Sequence, residues 1–185
     1  MKAFALPHAL SQRLSRFAQD ARGVSAVEFA MLLPLMLTLY LGTVEISQGV
    51  SIDRKVTLTT RTIADLASQA SSIASGDMTN IFTASSSVIQ PYDATQLKMT
   101  VSQISIDANS KATITWSCTQ NGTKHALNST VTLPSALLVP NTSLVWSEVS
   151  YSYKPTIGYV VTGTLNLSDQ IYMRPRLSDT ITNSC

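Results

Sequence analysis

Between residues 26 and 44 the apolar pattern is hardly interrupted: nineteen positions carry one charge, Glu28. As a helix this run rises about 28 Å at about 1.5 Å per residue, close to the thickness of a bilayer's hydrocarbon core. A soluble domain rarely buries such a run on every side, so the pattern predicts a membrane span. Beyond Glu45 the pattern becomes one-sided. Ile52, Val56, Ile63, Leu66, Ala67, Ala70 and Ile73 recur at spacings of three, four and seven, while Asp53, Arg54, Lys55, Arg61 and Asp65 fall mainly on the opposite face. One long helix is expected from about Val24 to about Ala74, its lower half in lipid and its upper half on a soluble domain. Gly76-Asp77 then interrupts it. Asp77 is the expected cap of a second helix from Met78 to about Ile89, which Pro91 closes.

From Gln96 the period shortens to two. Leu97, Met99, Val101, Gln103 and Ser105 alternate with Lys98, Thr100, Ser102, Ile104 and Ile106. Asp107 to Ser110 is turn chemistry, and Lys111 to Cys118 reads as the returning strand of a hairpin. After a polar loop over Thr119–Lys124 comes a weaker stretch around Val131–Leu133. Pro134 and Pro140 bracket a short segment with room for one helical turn. Leu144 to Tyr153 alternates cleanly and ends before Pro155. Tyr159–Leu167 and Gln170–Arg174 are candidate closing strands. The pattern predicts an α+β fold, a long N-terminal helix packed on an antiparallel sheet.

Charge divides the 185 residues unevenly. Residues 1–23 carry Lys2, Arg13, Arg16 and Arg22 against Asp20, leaving nine basic and ten acidic side chains for the rest. A clustered basic face, which nucleic-acid binding needs, is therefore not expected in the domain. Basic residues beside a span hold that end in the cytoplasm, so the arm is expected inside and the domain outside. A secretory signal also has a basic arm and an apolar core, but the core here ends in Tyr40-Leu41-Gly42-Thr43-Val44-Glu45, without an Ala-x-Ala-like site. An uncleaved anchor remains the alternative.

Glu28 stands out chemically. A carboxylate in a membrane helix costs about 2.5–3.5 kcal/mol on insertion scales and is a functional candidate by default. Pro34, inside the same run, admits two readings: a bend that serves packing, or a proline tolerated in a membrane helix.

Arg22-Gly23-Val24-Ser25-Ala26-Val27-Glu28-Phe29 resembles the prepilin-peptidase site of type IV pilin-like proteins: Gly, then a new N-terminus, with Glu fifth after the cut and an aromatic next. The wider stretch, continuing Ala-Met-Leu-Leu-Pro-Leu and later Gly42-Thr43-Val44-Glu45, is similar to the TadE-like pseudopilins of the Tad (Flp) type IV pilus assembly system. The resemblance covers about Arg22 to Glu45. Many members continue after the second Glu with Gly-Arg, whereas Ser47 and Gln48 follow Ile46 here. The resemblance implies a minor pseudopilin with a pilin-like fold, cut between Gly23 and Val24 by a prepilin peptidase. Its expected partners are that peptidase, inner-membrane lipid, and other pseudopilins or pilins. Glu28 would meet the freed α-amino group, with Phe29, Pro34, Gly42 and Glu45 as packing positions. The implied organisation is a basic cytoplasmic leader over 1–23, a transmembrane helix over 24–44, its amphipathic continuation over 45–75, and a periplasmic α+β domain over 76–185. Met173-Arg174-Pro175-Arg176 resembles a segment near the C-terminus of many TadE-like proteins; it reads either as a binding edge for a pilus component or as a solvated loop held by Pro175.

Cys118 and Cys185 lack Cys-x-x-Cys spacing, and only His8 and His125 could join them, so no metal site is expected. Outside the membrane a disulfide between them is the expected state, with a free thiol or an intermolecular bridge as alternatives. His125 is the one histidine past the span, in a loop rich in Gly, Asn, Thr and Lys. The carboxylates are scattered, and no phosphate-binding glycine loop occurs. Neither an enzyme, a cofactor nor a small-molecule substrate is expected. Four Asn-x-Ser/Thr triplets, headed by Asn121, Asn128, Asn141 and Asn166, arise readily by chance in so polar a chain.

Overall fold

Helix α1 (Ala21–Ser68) runs 48 residues without a break, about 72 Å at about 1.5 Å per residue. The computed structural model describes residues 21–155, 158, 162–183 and 185. Only the upper half of α1 is covered. Gly42, Glu45, Ile52, Val56, Thr59, Thr60, Ile63, Ala64 and Ala67 are buried there, and Leu66 is half-buried. Two threonines inside this stripe satisfy their hydroxyls within the helix: Thr59 donates to the Lys55 carbonyl and Thr60 to that of Val56, both at 2.8 Å.

The helix ends at Ser68, six residues before the expected Ala74. The C-terminal segment stops it: the Arg176 backbone N–H donates to the Ser68 carbonyl at 2.9 Å, and the Arg176 guanidinium pairs with Asp65. Ile73 still reaches the core, but from a strand. It belongs to β1 (Ser72–Ile73), which lies parallel to β6 (Thr182–Asn183).

A second helix, α2 (Ser75–Ser86), begins three residues earlier than expected and tightens into a 3₁₀ turn over Ser87–Ile89. Asp77 does not precede it as a cap. It sits in the first turn and accepts the Ala74 N–H at 3.2 Å, a role that also satisfies an open helix donor. Met78, Phe82 and Ile89 bury against α1. Lys55, expected on a solvent face, instead donates to the carbonyls of Val88 at 3.1 Å and Gln90 at 2.7 Å.

The sheet contains β2 (Leu97–Ile106), β3 (Ala112–Gln120), β4 (Thr142–Tyr153) and β5 (Leu165–Met173), in the order β3-β2-β4-β5. All neighbours are antiparallel. The expected hairpin is β2–β3. Asp107 shapes its turn by accepting the N–H groups of Asn109 and Lys111, both at 2.8 Å. Where two closing strands were expected, β5 is one continuous strand; Tyr159, Val160 and Val161 lie outside the described residues. Asn121, Asn128 and Asn141 each hold φ near 59°, a left-handed turn conformation that asparagine tolerates. Turn geometry thus accounts for asparagine at three of the four triplets.

Alternation gives the sheet two apolar faces. Leu97, Met99, Val101, Val145, Val149, Tyr151 and Tyr153 pack toward the helices. Ile104, Ile106, Leu144 and Trp146 point outward, under Leu133 and the segment that holds a 3₁₀ turn at Ser135–Leu137. That turn lies where the two prolines place it. A bulge at Thr115 lets β3 serve both cores. The register passes from Gln103↔Trp116 to Ile104↔Ile114, so Trp116 joins the helix side and Ile114 the outer side.

Cys118 and Cys185 form the expected disulfide. Beside it, Gln103 is only 2% exposed. Its side-chain amide oxygen accepts the Ile181 N–H at 2.7 Å and the Trp116 indole N–H at 3.3 Å, and that indole also donates to the Ile181 carbonyl at 2.8 Å. The last residues are thereby tied into the core. Replacing Gln103 with Leu removes the acceptor and strands the Ile181 N–H. It is expected to cost about 1–3 kcal/mol in urea unfolding. Cys185→Ser opens a loop spanning 67 positions and is expected to lower stability by about 4 kcal/mol in the chain-entropy model. An unchanged midpoint in non-reducing urea titrations would contradict that expectation.

Candidate functional site

The candidate site is the half of α1 that no other described segment covers. Val24, Val27, Phe29, Met31, Leu32, Leu35, Met36, Leu39 and Tyr40 are all exposed. This segment is long and apolar enough to cross a membrane, and none of its most apolar window is buried in the protein. Exposed apolar area this large and continuous marks an interaction surface.

Its special residues are distributed unevenly. Gly23 is helical, yet among the described residues nothing beyond its chain neighbours and the helix's own backbone lies within 4 Å of where its Cβ would be. A glycine inside a helix costs about 0.5–1 kcal/mol relative to alanine, and no contact among the described residues requires it. Glu28 is exposed one turn above Val24, on the same helical face. Pro34 does not break the helix. The next turn is reinforced by the Thr38 hydroxyl, which donates to the Pro34 carbonyl at 2.8 Å.

The two upper packing positions lie elsewhere. Gly42 and Glu45 are buried against the domain, whereas Phe29 is fully outward. The Tyr153 hydroxyl donates to the Glu45 carbonyl at 3.3 Å, and its ring lies 3.6 Å from the position of a Cβ on Gly49. Burial raises the Tyr153 pKa, and the Glu45 charge adds to the effect. Gly42 and Glu45 therefore mark the place where the bare helix meets the sheet.

These residues fall on one line. Ile52, Gly49, Glu45 and Gly42 face the domain at alternating spacings of three and four, and the same rhythm continues down through Thr38, Leu35, Met31, Glu28 and Val24. An α-helix drifts about 20° per heptad against this rhythm, so Glu28, two heptads below Gly42, departs from its direction by only about 40°.

In the Met173–Arg176 segment, Arg176 is occupied by Asp65 and by the end of α1, and so serves the fold. A second cluster escaped the sequence reading. His125 is half-buried, its ring stacked on Trp146 at 4.5 Å, and its Nε2 pairs with Glu148. Trp146 stacks in turn on Tyr172, and its indole N–H donates to Gln170 at 3.2 Å. Burial raises the Tyr172 pKa, helped by the Glu148 charge. Trp146 and Glu148 are two apart in a strand and share a face, which was visible in the sequence. That the loop returns His125 to them was not. Among the described residues no cluster of ligands suited to a metal ion occurs.

Comparison with curated proteins and with solved structures gives no match. A family model described as TadE-like protein matches residues 23–65, which begin at Gly23 and span the bare helix and most of its packed half. That family is a structural, pilus-associated one and not a family of enzymes. The bare helix, with Glu28 near its foot, lies within the segment over which this chain is similar to TadE-like proteins of the Tad pilus system.

Proposed function

We propose that the protein is a minor pseudopilin that acts in assembly of a Tad/Flp-type pilus after a prepilin peptidase cuts it between Gly23 and Val24. The observation that carries this reading is Gly23. It is a helical glycine that no contact among the described residues requires, at the point where a peptidase would need the backbone to approach closely. Cleavage would leave a charged amine on Val24, one turn below Glu28 on the same face. Within the chain or between neighbouring molecules, that amine is the counter-charge that would offset the cost of a carboxylate in lipid.

In this reading the bare helix lies in the inner membrane, with the leader in the cytoplasm and the α+β domain in the periplasm. Val24, Glu28, Met31 and Leu35 continue the direction that α1 uses to pack on its own sheet. A neighbouring pilin-like helix would cover them as the sheet covers the residues above. Partners are thus other pseudopilins or pilins, and after processing the protein could enter the fibre itself.

Replacing Gly23 with Ala or a larger residue is expected to block processing, read as retention of the full mass in membrane extracts. Glu28→Ala is expected to leave cleavage intact and to impair pilus assembly. N-terminal sequencing of the mature protein should begin at Val24. A mature chain that keeps residues 1–23 in cells with an active leader peptidase would instead leave an uncleaved, single-span anchor for an extracytoplasmic binding module.

A further inference from the structure

On the outer face of the sheet, away from α1, lies an open groove of about 610 Å³. Lys98 and Thr100 of β2, Glu148 and Ser150 of β4, and Ser168 and Gln170 of β5 form its floor. The loop over 121–125 forms one wall. We propose that this groove binds a neutral glycan, as a target held and not as a substrate turned over. The proposal is independent of leader processing and of helix assembly.

The wall is fixed in place. Asn121 donates through its side chain to the Leu97 carbonyl at 3.1 Å. Gly122 lies so close to the floor that a Cβ there would come within 2.7 Å of the Thr119 hydroxyl and 3.0 Å of the Thr100 hydroxyl. The His125 N–H donates to the Ser117 hydroxyl at 3.0 Å, while its ring is held between Trp146 and Glu148. One side of the groove therefore ends in an immobilised planar ring beside a carboxylate. The geometry suits a sugar that sets a C–H face on the ring and offers hydroxyls to the floor.

Charge narrows the choice of ligand. The strands supply one lysine against two carboxylates, of which Glu148 is engaged by His125 and Asp169 accepts the Gln170 N–H at 2.9 Å. A phosphate or a nucleic acid would need more cations, and a hydrophobic side chain would need an apolar floor. Backbone pairing excludes β-addition here, because the floor is the face of strands whose N–H and C=O groups are bonded to one another. What remains for recognition is short hydroxyls and an amide, spaced along adjacent strands. Each can donate and accept, which matches a ligand that presents hydroxyl groups at similar intervals.

The test uses the full chain in phospholipid nanodiscs, titrated with chitotetraose and with cellotetraose, and followed by tryptophan fluorescence and calorimetry. Trp146 beneath His125 should report binding. The expected result is saturable binding of at least one oligosaccharide. Ser150→Leu, which fills the floor, and Lys98→Ala should each weaken it at least about tenfold, the equivalent of about 1.4 kcal/mol. Leu127→Ser, on the exposed loop outside the groove, should bind like the parent. Should Ser150→Leu lower the melting temperature, Lys98→Ala decides. No saturation by either sugar at millimolar concentration overturns the proposal. So does saturation only by inorganic phosphate or by an acidic peptide, or undiminished affinity in both variants.

Discussion

Everything in this molecule depends on one seam, the contact of the upper half of α1 with the helix-facing side of the sheet. Ile52, Val56, Ile63 and Ala67 bury there against Val145, Val149, Tyr151 and neighbouring strand residues. At about 25 cal/mol per Å² of apolar surface, burial of such side chains is worth about 1.5–3 kcal/mol each before chain entropy is counted. The same helix then continues for about twenty residues with no other described segment around it. A globular domain cannot tolerate such a surface in water, so the seam and the bare foot together imply two surroundings for one rigid element. The buried Gly42 and Glu45 lie where the first gives way to the second.

Periodicity made the elements legible. The apolar run, the three-four rhythm above it, and the alternation in β2 and β4 each declare their own geometry. The long-range ties were hidden. The short end of α1 depends on Arg176, more than a hundred positions away, whose backbone occupies the Ser68 carbonyl. Gln103 reads as one polar residue in an alternating strand, yet it is the internal anchor of Ile181. The bulge at Thr115 changes which side Ile114 faces, and a pattern of period two cannot announce its own interruption. Lys55 and Asp65 look like solvent residues until the segments that meet them are in place.

The candidate site was legible for a different reason. Glu28 violates the rule of its surroundings, an acid within an apolar run, and such a violation is visible without a fold; Gly23 was singled out by the resemblance of the stretch around it to a prepilin-peptidase site. The groove around His125 breaks no local rule. Its residues are ordinary surface polar groups from three strands and a loop, and only the topology brings them together. Local conflict between residue and environment is what a lone sequence reveals best.

The closure of the chain's end has a mechanical consequence. The head of α1 is held by Arg176 through its backbone and its guanidinium, β6 lies beside the residues that follow the helix, and the disulfide fastens the terminal residue to β3. Traction along the helix axis, applied at the foot, would therefore load the whole interface in shear, with many contacts resisting at once. It would not peel strands away one by one. The domain is built like a handle riveted at its far end, fit to stay folded while its stem is drawn.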